Sequence, residues 1–154
     1  MWIERKARLQ APVSEVFAYI ADFRTLEEYN PSIREVRCLT QGPPGQGSEY
    51  DLLLGMFGRT LRSRLIVTDF QKDKLIATRV ESFIPARENR MFQSAGTNTL
   101  FHFTVEFACG WPVVGPLVDR ILARSFAERQ ADVELRMLVA RFARRREEES
   151  AASL

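Results

Sequence analysis

From Leu117 to Arg146 the chain runs for 30 residues without a glycine or a proline. The stretch is rich in alanine, leucine, arginine and glutamate, all favourable in a helix interior. It predicts one helix about 45 Å long, at about 1.5 Å of rise per residue. A helix of that length needs a broad surface to lie on. The preceding stretch, from Ile33 to Cys109, offers one. Its apolar residues alternate with polar ones, and its connections are hairpin-length with no room for crossover helices. Those are the marks of an antiparallel meander. A meander of this size twists and curls, so one face becomes concave and must be covered. The terminal helix is the available cover. The fold class expected is α+β.

The front of the chain fits this frame. Residues 2–9 alternate weakly, with Ile3, Arg5, Ala7 and Leu9 against Trp2, Glu4, Lys6 and Arg8, and read as a first strand. In "APVSEVFAYIAD", Pro12 suits a first helical turn, and Val13, Val16, Phe17 and Ile20 recur at helical spacing. A second short helix carries Leu26 and Tyr29, and Asn30-Pro31 ends it, because the residue before proline is pushed out of the helical region. Neither helix is long enough to stand alone. Both are expected to seal one end of the groove between sheet and long helix. The strands that follow are "IREVRCLT", "SEYDLLLG", "RTLRSRLIVTDF", "LIATRVESF", a short one near 88–93, and "TLFHFTVEFA". The reading is one domain over residues 1–146. Residues 147–154, "EEESAASL", form a frayed tail, since glutamates at a helix C-terminus oppose the macrodipole.

This element order, opened by "APVSEVFAYIADFRTLEEYNPSIREVR", resembles the START/birch-allergen-like superfamily (SRPBCC), and within it the polyketide cyclase/dehydrase and coenzyme-Q-binding branches. The features that carry the resemblance are the Pro-Val-x-x-Val-Phe helix start, Tyr29 ahead of Asn30-Pro31-Ser32, the hairpin "LIVTDFQKDKLIATRVES", the strand "GTNTLFHFTVEFA" and the terminal helix. Together they span residues 1–145. Where such proteins often carry tryptophan before Asn-Pro, this chain has Tyr29, with packing as its expected role. The resemblance implies a helix-grip fold: a curved antiparallel sheet of about seven strands around a long C-terminal helix, with two short helices after the first strand. It also implies an apolar ligand enclosed under that helix. It does not choose between binding, carrying and catalysis.

Strand alternation assigns the faces. Phe101, Phe103, Val105 and Phe107 share a side that should face inward, as do Leu61, Ser63, Leu65 and Val67; Ile76, Thr78 and Val80; and Tyr50, Leu52 and Leu54. A filled core and a ligand cavity look alike at this level. On the long helix, Leu117, Ile121, Leu135, Val139 and Phe142 form a stripe, interrupted by Ser125, Glu128 and Asp132 with Arg129 and Arg136 at its margin. Those polar residues read either as a solvated or salt-bridged middle or as a cluster that fixes a ligand's polar end.

Alternate connections of a meander gather at one end. The turns at Met56-Phe57, Phe83-Ile84-Pro85 and Trp111-Pro112-Val113 are therefore expected together, and all three are apolar where turns are usually polar. They read as a portal, or as tips packed on one another. Exposed together, they would also suit transient contact with a membrane or an acyl-carrier partner.

Several chemistries are disfavoured. Twenty-two basic against 20 acidic side chains leave a net charge of +2, which does not make a nucleic-acid surface. His102 is the one histidine, and its strand position points it outward, away from any catalytic triad. One histidine and two separated cysteines make no zinc set, and no metal or cofactor is expected. "GPPGQG" lacks the Lys-Ser/Thr of a phosphate loop. Arg59, Arg62, Arg64, Arg79, Arg87 and Arg90 read as a basic outer sheet face offset by Glu49, Asp51, Glu81 and Glu106. The N-terminus has no apolar signal-like run, and Cys38 and Cys109 show no framework spacing, which places the chain in the cytoplasm with reduced thiols. The function expected is a carrier or sensor of a small hydrophobic molecule: a lipid, quinone, isoprenoid or polyketide. The alternatives are a metal-free cyclase or dehydratase working with Asp132, Glu128, Arg129 or Tyr50, and a protein-interaction module with a filled core.

Overall fold

Residues 1–108 and 116–154 are described by the structure, a computed structural model, with side chains of the last helix described from residue 121 onward. Cys109, Trp111, Val113 and the Leu117 side chain, all named above, lie outside the described residues. The elements in order are β1 (Trp2–Leu9), α1 (Val13–Ala21), a 3₁₀ turn (Phe23–Thr25), α2 (Leu26–Tyr29), β2 (Ile33–Cys38), β3 (Glu49–Met56), β4 (Arg59–Gln71), β5 (Leu75–Glu81), β6 (Ala86–Ala95), β7 (Asn98–Phe107) and α3 (Pro116–Ala152). This is the helix-grip α+β fold.

All seven strands pair antiparallel in the order β1-β7-β6-β5-β4-β3-β2. The first strand is added beside the last, Ile3 opposite Val105 and Leu9 opposite Thr99. Thr99 ties that edge to the first helix by donating its hydroxyl to the Ala11 carbonyl at 2.8 Å. Register shifts between Ile33 and Glu35 and between Val67 and Asp69 mark bulges, the usual device by which a strand bends. Bulges at these places let the sheet curl around α3.

Three element bounds differ from expectation. β6 spans Ala86–Ala95, longer than the short strand at 88–93, because every residue of it pairs with β7 across the Gly96-Thr97 turn. Pro12 stands just before α1 as its cap residue, in extended conformation, one position ahead of the first turn. The helix α3 continues through Ala152, so most of the segment 147–154 is helical here.

Two kinds of packing hold α3 to the sheet. At its C-terminal half, Leu138 and Phe142 are fully buried, and the Phe142 ring meets Tyr19 of α1 edge-on at 5.7 Å. Ion pairs flank this seam: Arg141 with Glu28 at 3.2 Å, Arg145 with Glu15 at 2.9 Å, and Asp132 with Arg5 of β1 at 2.6 Å. Below it, Phe17 sits edge-on to Phe70 and Phe92, and Phe92 meets Phe101. That end of the groove is filled with rings. The other end is not. Among the described residues no helix is long and apolar enough to cross a membrane.

Candidate functional site

Under the first half of α3 lies a cavity of about 160 Å³. It is similar in size to an engineered apolar cavity of about 150 Å³ that accommodates benzene. Its sheet wall contains eight of the strand residues expected to face inward: Leu52, Leu54, Ser63, Leu65, Val80, Phe103, Val105 and Phe107. Tyr50, Ile76, Thr78 and Phe101 are also buried but sit away from the cavity. Tyr50 packs on Phe23, and Phe101 belongs to the ring cluster at the filled end. Leu61 is half-buried and outside the lining.

The helix face is corrected by the structure. Ile121 is 58% exposed, and Ser125, Arg129 and Asp132 face solvent. Glu128 is half-buried and paired with Arg124 at 2.8 Å. The roof is made instead by Ala123, Phe126, Ala127, Gln130, Ala131 and Glu134. Relative to the expected stripe, α3 is turned by about one residue, roughly 100°. The cause is packing at its C-terminal half, where Leu138 takes the core position and Leu135 and Val139 fall to its flanks. Carrying that face back by helical steps brings Glu134, Ala131, Ala127 and Ala123 over the sheet. Three alanines along one face leave the space that larger side chains would fill. The charged residues of the expected stripe then reach water, or Arg5.

One polar cluster interrupts the apolar wall, and sequence reasoning placed its central member on the wrong side. Arg90 is 2% exposed, on the concave face of β6. Its Cζ lies 4.9 Å from the Phe103 ring centre and 5.1 Å from that of Phe23. Its Nη1 donates to Glu88 Oε2 at 2.8 Å, and its Nη2 lies 3.8 Å from Glu134 Oε1. Glu134 is 5% exposed and accepts from Asn30 Nδ2 at 3.1 Å. Thr78 donates to Glu88 at 3.2 Å.

The signal for Arg90 was present. A two-residue turn at Gly96-Thr97 sets Arg90 opposite Phe103 and Phe92 opposite Phe101, and residues directly opposite share a face. Glu134 carried no such local mark. Of the remaining arginines read as outward, Arg64 lies 3.9 Å from both Glu49 and Asp51, and Arg79 pairs with Glu81 at 3.1 Å. His102 lies 2.6 Å from Glu4, a residue of the solvent-facing side of β1.

Burial dominates the electrostatics of the cluster. It pushes the Glu134 carboxyl from its ordinary 4.5 to about 7, against the pull of Arg90. Burial also opposes the charge on Arg90, but Glu88 and Glu134 outweigh it and hold the guanidinium above its ordinary range. The Tyr29 hydroxyl, fully buried beside this group, is pushed well up and stays protonated. Four polar atoms here are buried without a hydrogen-bond partner: Arg90 Nε, Ser63 Oγ, Gln130 Oε1 and Tyr29 Oη. The first three belong to residues of the cavity lining. Buried polar groups are usually satisfied, so these four atoms stand out as exceptions beside the cavity.

Met56, Ile84 and Phe107 also belong to the cavity lining. Phe57, at the tip of the β3–β4 hairpin, is 58% exposed, and its ring is 5.3 Å from that of Phe126 on the roof. Phe83, in the next turn of that end, is 57% exposed. Phe57 has φ of 50° and Gly58 has φ of 73°. A two-residue turn with both φ positive favours Asn-Gly, and a bulky residue in its first position is strained. Among the described residues no group of three or more metal-ligating side chains occurs.

A family model described as polyketide cyclase/dehydrase and lipid transport matches residues 3–143. Solved structures with the same fold include the Zhui aromatase/cyclase from Streptomyces sp. R1128, with TM-score 0.82, 18% identity and 94% of each chain covered. Another is a START superfamily protein from Mycobacterium smegmatis, with TM-score 0.73, 16% identity, and 93% of this chain and 97% of that one covered. A third is the protein TTHA0849 from Thermus thermophilus, with TM-score 0.77, 15% identity and the same coverage. Among curated proteins none matches this chain significantly.

Proposed function

This chain belongs to the polyketide cyclase/dehydrase and lipid transport family, and on that footing we propose that it holds one small, mainly apolar molecule between sheet and α3, as a carrier or sensor. The observation that carries this reading is the cavity itself, apolar on most of its wall and bordered by buried polar atoms without partners. Apolar burial supplies the affinity, at about 25 cal/mol per Å² removed from water as an upper guide. The Arg90 cluster orients the guest. The cavity's size favours a guest of about one ring; a longer chain needs the roof or the hairpin tip to move. Access is by way of Phe57 and Phe126. Strain retained at an exposed, ring-bearing turn is more economically explained by a role at the mouth than by hairpin stability.

A second reading is favoured by one specific observation. Glu134 gives up its proton near neutrality, within the same cavity as a fixed cation. A carboxyl so poised can serve as a general acid or base. A reactive chain held in a near-attack conformation beside it could be cyclised or dehydrated. The Zhui protein's description as an aromatase/cyclase is in keeping with this alternative.

The test is native mass spectrometry of freshly purified protein, followed by organic extraction, on the wild type and on Ala127→Phe. A retained small molecule in the wild type, lost when the added ring fills the cavity, supports the binding reading. A variant that retains the same molecule at the same occupancy refutes it. Conversion of an extracted or supplied chain, with multiple turnovers, transfers the assignment to the enzyme reading.

A further inference from the structure

We infer that the polar end of the bound molecule is an uncharged oxygen function, a carbonyl or hydroxyl, and that the cavity discriminates against carboxylic acids and amines alike. The inference rests on the ligand-binding reading and narrows it to a ligand class.

Among the described residues, three ionisable side chains line the cavity, Arg90, Glu88 and Glu134; the Met1 amino group is elsewhere on the lining, donating to the Phe107 carbonyl at 3.2 Å. One guanidinium therefore faces two carboxyls. Arg90 is committed to Glu88 at 2.8 Å and shared with Glu134 at 3.8 Å, and its guanidinium also lies over the Phe23 and Phe103 rings. An incoming carboxylate would be a third acid competing for a cation with no spare charge. In a site this buried, such an uncompensated anion is strongly disfavoured. An ammonium fares no better. Two of the four carboxyl oxygens it would seek already accept bonds, Glu88 Oε2 from Arg90 and Thr78 and Glu134 Oε2 from Asn30, and while Glu134 keeps its proton the Arg90–Glu88 pair leaves no net negative charge to hold it. It would also sit beside a buried guanidinium.

What remains unpartnered is neutral in demand. Arg90 Nε is a donor, Gln130 Oε1 an acceptor, and Ser63 Oγ either. A carbonyl can accept from Arg90 or Ser63. A hydroxyl can also donate to Gln130. Neither brings a charge that must be neutralised.

The experiment uses four one-ring probes of similar shape on the full chain at about pH 6, where benzoate and benzylamine are both charged and Glu134 keeps its proton, so that the cluster itself is balanced. They are acetophenone, ethylbenzene, benzoate and benzylamine, with affinities read by calorimetry or ligand-observed NMR. Acetophenone is expected to bind about tenfold or more tightly than ethylbenzene, its analogue without the carbonyl, because only it satisfies the buried donors. Benzoate and benzylamine are expected about tenfold or more weaker than acetophenone. Ser63→Ala and Gln130→Leu each remove an unpartnered atom without touching the ion cluster. At least one of them should lower the acetophenone-to-ethylbenzene ratio by about threefold or more. Equal binding of acetophenone and ethylbenzene overturns the inference while leaving an apolar pocket intact. Benzoate or benzylamine binding as tightly as acetophenone also overturns it, as does an unchanged ratio in both variants. Failure of all four probes, ethylbenzene included, sinks the ligand-binding reading first and the inference with it.

Discussion

Replacing Glu134 by glutamine should change how the stability of this protein depends on pH. In the folded state the Glu134 carboxyl keeps its proton up to about pH 7, whereas its ordinary value is 4.5. Between those values the folded chain binds more protons than the unfolded one, so stability falls as pH rises. The contribution is fully present below about pH 4.5 and is gone once pH has passed through the folded value. Each pH unit across the window is worth about 1.4 kcal/mol, so the whole of it amounts to about 3 kcal/mol. Glutamine keeps an acceptor for Asn30 and does not titrate. Urea unfolding of wild type and Glu134→Gln at several values between pH 5 and 8 gives two stability profiles. Other titrating groups are common to both and cancel in the difference. The variant should gain on the wild type by about 2–3 kcal/mol from pH 5 to 8. Parallel profiles would show that Glu134 is already ionised at pH 5, and the cluster would then be an ordinary ion-pair network.

Phe57→Asn places Asn-Gly in the tip of the β3–β4 hairpin and relieves a ring held at φ of 50°. Thermal stability should stay level or rise by about 1 kcal/mol, while release of a bound probe, followed by stopped flow, quickens. A stability loss with unchanged release would make the ring a packing residue only. Thr99→Val removes the buried bond to the Ala11 carbonyl and should cost about 1–2 kcal/mol in denaturant unfolding. Leu138→Ala, at a fully buried position that sets the rotation of α3, should cost about 2–5 kcal/mol and weaken probe binding, because the roof is no longer held in register. A loss below about 1 kcal/mol would place the anchor of the helix elsewhere.

The strands and their faces were open to reading along the chain because β alternation is local. Phe101, Phe103 and Val105 need only each other to declare a side, and the structure buries all three. The long helix was equally plain, since absence of glycine and proline is a property of the segment itself. Its rotation was not. Ile121 and Ala123 are both compatible with an inward face, and the larger, more apolar one was the natural choice. The structure exposes Ile121 and turns Ala123 to the cavity. That decision is made far along the helix, where Leu138 and Phe142 pack against other elements.

The amino-acid order by itself determined that a curled antiparallel sheet would be covered by one terminal helix, with short helices after the first strand. Those outcomes follow from periodicity and breakers, which act over a few residues. Only the tertiary structure decided that Arg90, Glu88, Glu134 and Asn30 meet inside an apolar wall. Asn30 and Glu134 are 104 residues apart, and their meeting depends on the curl of the sheet and the rotation of the helix together. Desolvation, which holds a proton on Glu134 near neutrality, exists only once that enclosure has formed.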